Sequence, residues 1–138
     1  MKKISELKIL IVDDMIQWIN HHKELLQHFY NIANENINIE FSAETGIKNV
    51  LSKDSDFYDL IITDMQMEEI SDEKFAGEWL LEKLKNNEKC FETKFLILSS
   101  AFNIKNIAER FNVSYIDKSN LISNPLLFKY KLDELFLR

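Results

Sequence analysis

Acidic side chains directly follow two apolar runs of the sequence. Asp13 and Asp14 come after Ile9–Val12, and Asp64 comes after Leu60–Thr63. Carboxylates that share one site repel each other, and each raises its neighbour's proton affinity unless a cation lies between them. A hard divalent ion with oxygen ligands, Mg²⁺ or Mn²⁺, removes this repulsion. The three aspartates therefore predict a divalent metal site, provided that the fold brings them together.

A hydroxyl group and an ammonium group follow two further apolar runs. Ser99 comes after Phe95–Leu98, and Lys118 lies just beyond Val113–Ile116. A metal ion, an ammonium group and a hydroxyl together can position a phosphoryl group and stabilise the charge on its oxygens. In this interpretation Asp64 is the nucleophile, Lys118 neutralises the added negative charge, and Ser99 donates a hydrogen bond to a phosphoryl oxygen.

The apolar runs themselves predict five strands, at Ile9–Val12, Ile37–Phe41, Leu60–Thr63, Phe95–Leu98 and Val113–Ile116. Three of the runs are nearly continuous in Ile, Leu and Val, which is typical of parallel strands covered on both faces. Segments with helical spacing follow the runs, and this alternation predicts an α/β three-layer sandwich, with helices on both faces of a parallel sheet. Ligands bind such a sheet at the carboxyl ends of its strands, which is where the chemically active residues stand.

The sequence makes specific predictions for the last helix and for the first helix. The last helix is expected to begin at Asn124 as N-cap, with Pro125 at the first helical position, and to run to the end of the chain.

The first helix contains His21, His22 and His28. Adjacent helical residues diverge by about 100°, and positions seven apart lie about 10 Å apart along the axis, too far for one metal ion. The three histidines are therefore predicted to form a polar helix face.

The four strand-end motifs resemble those of response-regulator receiver domains in two-component signalling. These motifs are Ile9–Asp14, Tyr58–Asp64, Leu96–Ser100 and Tyr115–Lys118. One such motif is common by itself, but four in this order are specific, and the resemblance extends from Leu7 to the final helix. It implies the flavodoxin-like receiver fold, in which five parallel strands have the order 2-1-3-4-5.

The resemblance also implies roles for individual residues. Asp64 resembles the phosphoacceptor, which receives a phosphoryl group from a phosphohistidine on a sensor histidine kinase or a phosphotransfer protein. Asp13 and Asp14 resemble the acidic pair that organises Mg²⁺, and Asp64 and the main-chain carbonyl of Gln66 resemble its further ligands. An enzyme of the aspartate-nucleophile phosphatase type is disfavoured, because such enzymes have a second acid at the position of Gln66.

Three further residues correspond to the lysine and the switch residues of receivers. Lys118 resembles the lysine that contacts the phosphoryl group, Ser99 resembles the switch hydroxyl, and Tyr115 resembles the aromatic switch residue. The family usually has a proline after this lysine, often with a cis bond, whereas Ser119 follows here. Since a cis bond to serine costs about 3 kcal/mol, we predict a trans bond and a somewhat different direction for the Lys118 side chain.

The loop after the predicted acceptor, residues 65–76, is longer than is usual in the family. It contains four acidic residues, Glu68, Glu69, Asp72 and Glu73. They are compatible with a solvated surface segment and with an acidic collar that selects the phosphodonor, and the sequence leaves both interpretations open.

The function that these residues predict is a phosphorylation-controlled signalling module. We expect a single receiver domain over residues 1–138, without an output domain and without turnover of an external substrate, although the module could hydrolyse its own aspartyl phosphate. Its downstream partner is expected on the face formed by the fourth and fifth strands and the helices that follow them, and a second copy of the chain is a candidate occupant. The alternative is a degenerate receiver that acts as a phosphorylation-independent interaction scaffold.

Composition excludes several other classes of protein. The chain has 138 residues, 46% of them apolar, which is enough for one core. A net charge of −6 argues against nucleic-acid binding, which needs a clustered basic face. No apolar run approaches the roughly 20 residues that span a bilayer. Together with the single cysteine, Cys90, these features predict a cytoplasmic protein.

Overall fold

A computed structural model of the chain describes residues 2–67 and 76–137. Its centre is one sheet of five parallel strands in the order β2-β1-β3-β4-β5. The strands are β1 (Ile9–Val12), β2 (Ile37–Glu40), β3 (Leu60–Thr63), β4 (Lys94–Ser99) and β5 (Ser114–Asp117). Each overlaps one of the predicted apolar runs, with bounds that agree to within one residue, and the predicted fold class and strand order are confirmed.

Helices connect the strands and cover the sheet. They are α1 (Ile16–Tyr30), α2 (Ala43–Leu51), α3 (Ala76–Leu84), α4 (Ile104–Phe111), α5 (Lys118–Ser123) and α6 (Leu126–Phe136). Short 3₁₀ turns occur at Ile4–Glu6, Asn34–Asn36 and Glu88–Cys90. None of the helices in the described part of the chain is long and apolar enough to cross a membrane.

Alternate strand residues point into two separate core layers. On β1, Leu10 and Val12 pack with α2, α3 and α4, whereas Ile9 and Ile11 pack with α1, α5 and α6. All four side chains are fully buried. This burial on both faces explains why the strand reads as a continuous apolar run. It also holds each strand in place, and thereby determines where the residues that follow the strand lie.

The C-terminal region differs from the prediction of one helix with Asn124 as its N-cap. A separate short helix, α5, begins directly after β5, because the Asp117 carboxylate accepts hydrogen bonds from the backbone N–H and the hydroxyl of Ser119 at 2.9 and 2.7 Å. Asn124 is the C-cap of this helix, and Pro125 occupies the N-cap position of α6. The predicted cap was therefore wrong: Asn124 ends α5, where its backbone N–H donates to the carbonyl of Asn120 at 3.0 Å, and the N-cap of α6 lies one residue later than predicted.

Candidate functional site

The pairing of β1 with β3 brings two acidic strand ends together. Val12 and Thr63 are partners in the parallel ladder, and the backbone N–H of Asp64 continues it by donating to the carbonyl of Val12 at 3.1 Å. Asp13 and Asp64 consequently leave the sheet side by side at its carboxyl edge.

The three predicted metal-binding carboxylates form one cluster. A carboxylate oxygen of Asp13, one of Asp14 and one of Asp64 all lie within 4.8 Å of one another. Asp13 is 1% exposed and Asp64 is 7% exposed, whereas Asp14 is half-buried. The convergence that the sequence predicted is therefore present in the structure.

Lys118 joins the cluster from the end of β5. Its ammonium group donates hydrogen bonds of 2.8 Å to Oδ2 of Asp13 and 2.8 Å to Oδ2 of Asp64, and the residue is 3% exposed. No peptide bond in residues 2–67 and 76–137 is cis, so the bond to Ser119 is trans, as predicted. The first turn of α5 thus places the amine on the acidic cluster without a proline.

The cluster places three acidic groups around one ammonium group. Asp13, Asp14 and Asp64 lie together with Lys118 in a largely buried site. Burial raises the pKa of Asp13, although the hydrogen bond and the charge of Lys118 oppose this effect. Mg²⁺ ligands lie about 2.1 Å from the ion, so they are at most about 4.2 Å apart. The donor set and its spacing therefore fit a single hard divalent ion after a small contraction.

The loop that carries Asp64 is held by backbone contacts. Oδ1 of Asp64 accepts hydrogen bonds from the N–H groups of Met65 at 2.6 Å and of Gln66 at 3.3 Å. The first turn of α3 packs directly on this loop, where the N–H of Gly77 donates to the carbonyl of Met65 at 3.2 Å. A Cβ atom on Gly77 would lie 2.7 Å from the Cα of Met65 and in contact with the carbonyl oxygen of Asp64. Only glycine allows this close approach.

The predicted switch residues lie on the next two strands. Ser99 is fully buried at the end of β4, and its Oγ accepts a hydrogen bond from the N–H of Ala101 at 3.1 Å. Tyr115 is half-buried on β5 and packs against the core layer of α2, α3 and α4. Gln66 is exposed beside Asp64. The switch roles of Ser99 and Tyr115, and the metal contact of the Gln66 carbonyl, stay predictions.

The sequence prediction missed two residues of α1 beside the site. The ammonium group of Lys118 lies 4.7 Å from the ring centroid of Trp18. His22, predicted to lie on a polar face, is 1% exposed, and that prediction was wrong. It occupies the same helix face as Trp18, four residues on, and this i, i+4 spacing was the available signal.

The predicted acidic collar lies outside the described residues. Glu68, Glu69, Asp72 and Glu73 all fall in the segment between residues 67 and 76. The two interpretations of this segment stay open.

No family model matches the sequence, and no curated protein matches it either. Solved structures do share its fold. The chemotaxis response regulator CheY4 of Vibrio cholerae is 14% identical, with a TM-score of 0.67 over 95% of this chain and 99% of that one. A CheY-like receiver domain of Methylobacillus flagellatus is 20% identical, with a TM-score of 0.62 over 90% and 98%.

A third similar structure is that of a phosphorylated protein. The cyanobacterial phytochrome response regulator RcpA, in its phosphorylated form, is 19% identical, with a TM-score of 0.70 over 96% of this chain and 94% of that one. Similarity at these identities establishes the fold. The chain therefore has the fold of CheY-like response-regulator receiver domains, as its motifs predicted, with an acidic cluster and a lysine at the carboxyl edge of the sheet.

Proposed function

We propose that this chain is a receiver module that accepts a phosphoryl group on Asp64. The observation that supports this most strongly is the contact of the Lys118 ammonium group with both Asp13 and Asp64, at 2.8 Å each, within a cluster that also includes Asp14. Acidic residues from two strands and a buried cation from a third are brought to one point. A merely solvated strand edge would not bury a lysine in this way.

The chemistry of the proposed step follows from these side chains. A carboxylate oxygen of Asp64 attacks the phosphorus of a phosphohistidine on a sensor histidine kinase or a phosphotransfer protein. The new O–P bond forms as the P–N bond breaks, and the departing imidazole keeps the electron pair of that bond. Lys118 donates hydrogen bonds to the transferred oxygens, and the N–H groups of Met65 and Gln66 hold the other oxygen of Asp64.

A divalent ion fits this proposal. Asp13, Asp14 and Asp64 would hold Mg²⁺, or Mn²⁺ in its place, with the Gln66 carbonyl as a further ligand. When bound, the ion supplies positive charge for the phosphoryl oxygens. The repulsion among three acidic groups whose oxygens lie within 4.8 Å of one another is the physical reason why the reaction should depend on the ion.

Phosphorylation would change the surface near β4 and β5. It replaces the single negative charge of the Asp64 carboxylate with the nearly two negative charges of an aspartyl phosphate, and Ser99 and Tyr115 are the proposed residues that respond. The downstream partner would bind the face of β4, α4, β5 and the helices after β5, where a second copy of the chain is another candidate. In this proposal residues 1–138 form one cytoplasmic receiver domain that turns over no external substrate but could hydrolyse its own aspartyl phosphate.

The proposal is tested by incubating the chain with Mg²⁺ and acetyl phosphate and measuring its intact mass. We expect the mass of one added phosphoryl group in the wild type and none in Asp64→Asn. The matched control is Asp54→Asn, at an exposed aspartate away from the cluster, which should be phosphorylated like the wild type. Equal phosphorylation of Asp64→Asn would contradict the assignment of the acceptor.

The alternative is a scaffold that binds partners without phosphorylation. Ser119, which stands where receivers usually have a proline, is the observation that favours it. A folded wild type that gains no phosphoryl group from acetyl phosphate or from a phosphohistidine donor, with or without Mg²⁺, would support the scaffold.

A further inference from the structure

The Lys118 side chain lies against an aromatic ring in addition to the carboxylates of the acidic cluster. Its ammonium group is 4.7 Å from the ring centroid of Trp18, within the range of a cation–π interaction. Trp18 stands in the first turn of α1, where its backbone N–H donates to the carbonyl of Met15 at 3.1 Å. The helix follows Asp13 and Asp14 directly, so the ring is fixed to the same strand end as two of the carboxylates.

A buried histidine lies next to this tryptophan. The ring centroids of Trp18 and His22 are 5.8 Å apart, with an interplanar angle of 34°. Neither ring nitrogen of His22 has a hydrogen-bond partner among the described residues. Because a buried polar group without a partner costs free energy, an apolar residue would suit the core better. Packing alone therefore leaves this histidine unexplained.

The imidazole must be uncharged to lie in this position. Burial, followed by the positive charges of Lys118 and His21, lowers the pKa of His22 to about 3. A neutral His22 ring does not repel the ammonium group of Lys118. It also packs beside the indole of Trp18, one turn further along α1.

We propose that Trp18 and His22 form an aromatic platform that positions the ammonium group of Lys118 on Asp13 and Asp64. This inference rests on the proposed function, since it assigns the two rings a role in the phosphorylation of Asp64. Lysine has a flexible four-carbon chain, and in this protein Ser119 does not restrain the backbone as a proline would. The platform restrains the far end of the side chain instead.

The platform acts through Lys118, so its two members are positioning residues. In a desolvated site a cation–π contact of this kind corresponds to about a 5- to 30-fold effect. We expect Trp18→Leu to slow phosphorylation by acetyl phosphate about 5- to 30-fold. Trp18→Phe, which keeps an aromatic face, should recover most of the rate.

A double-mutant cycle separates positioning from general packing. In a Lys118→Met background, Trp18→Leu should have no further effect on the rate, because the group that it positions is gone. Trp79→Leu, at the second, half-buried tryptophan of the chain, is the matched control for lost aromatic packing. Its effect on the rate should be the same in both backgrounds.

A second measurement does not depend on phosphorylation. The ε-methylene protons of Lys118 should be shifted upfield in the NMR spectrum by the ring current of Trp18, and the shift should disappear in Trp18→Leu. The platform is refuted by a phosphorylated wild type whose rate Trp18→Leu leaves unchanged, or by an additive effect in the Lys118→Met background. If the wild type takes up no phosphoryl group, the proposed function itself fails, and the role of the platform in that reaction fails with it.

Discussion

Gly77 is the position at which one methyl group would do most to disturb the site. A Cβ atom there would lie 2.7 Å from the Cα of Met65 and 2.8 Å from the carbonyl carbon of Asp64. Carbon atoms in ordinary contact are about 3.5–4.0 Å apart. In Gly77→Ala, either α3 or the loop after β3 must therefore move by roughly 1 Å. No flexible side chain is available to absorb the change, since these neighbouring atoms belong to the backbone.

The displacement should affect reactivity more than folding. Overpacking of this kind costs about 1–3 kcal/mol, and the better helix propensity of alanine offsets up to about 1 kcal/mol of that. A reacting group displaced by about 1 Å can lose roughly 100-fold in rate. We therefore expect Gly77→Ala to fold with a modestly lowered free energy of unfolding, and to be phosphorylated at Asp64 about 100-fold more slowly.

The other glycine of the chain, Gly46, provides the matched control. A Cβ on Gly46 would lie 3.0 Å from a methyl group of Val12, which is a side-chain contact that can yield by a few tenths of an ångström. Gly46→Ala should retain the wild-type rate to within a few-fold. Both variants are measured by urea unfolding and by the rate of phosphorylation from acetyl phosphate. Wild-type kinetics for Gly77→Ala would refute the claim that this close approach positions Asp64.

Three other perturbations have defined outcomes. Lys118→Met leaves Asp13 and Asp64 buried without their ammonium partner, so without Mg²⁺ the free energy of unfolding should fall by about 3–5 kcal/mol in urea titrations. Mg²⁺ at a hundred times its Kd should raise the free energy of unfolding of the wild type by about 2.7 kcal/mol, and Asp14→Asn should lose most of this gain. In the unfolded chain His22 takes up a proton below its ordinary pKa of 6.5, whereas in the folded chain it does so only near pH 3. Each pH unit below 6.5 should therefore lower the free energy of unfolding of the wild type by about 1.4 kcal/mol relative to that of His22→Leu.

Exposed residues of the same types serve as controls for these three variants. Lys105→Met, Asp54→Asn and His28→Leu change side chains on the surface. None should reproduce the loss of stability, the loss of the Mg²⁺ effect or the altered pH dependence. The corresponding explanation is contradicted if Lys118→Met is as stable as the wild type, if Asp14→Asn responds fully to Mg²⁺, or if His22→Leu and the wild type lose stability in parallel between pH 7 and pH 5.

The sequence predicted the sheet because its strands are buried on both faces. A continuous run such as Ile9–Val12 allows few structures other than a central parallel strand, and the residues after it must then stand at the carboxyl edge. Asp13, Asp64 and Lys118 could for this reason be placed at one edge of the sheet from the sequence. The strand order that brings them to one point was implied by the resemblance to receiver domains.

The errors arose where local signals competed. Asn124 and Pro125 form a good helix start by themselves, but the Asp117 side chain starts a separate helix before them, and Asn124 is needed to end that helix. Histidine is intermediate in its preference for burial, so His22 was assigned to the polar face. It is buried beside Trp18, whose ring contacts Lys118 a hundred positions along the chain, and a helical pattern does not show such a tertiary contact.

The most direct test of the central claim is to locate the phosphoryl group. After incubation with Mg²⁺ and acetyl phosphate, borohydride reduction converts an aspartyl phosphate to homoserine, which peptide mass spectrometry assigns to a position. We predict homoserine at position 64, and none in a sample from which Mg²⁺ has been removed by a chelator. Homoserine at another aspartate, or equal conversion without Mg²⁺, would contradict the assignment of Asp64 as a metal-dependent phosphoacceptor.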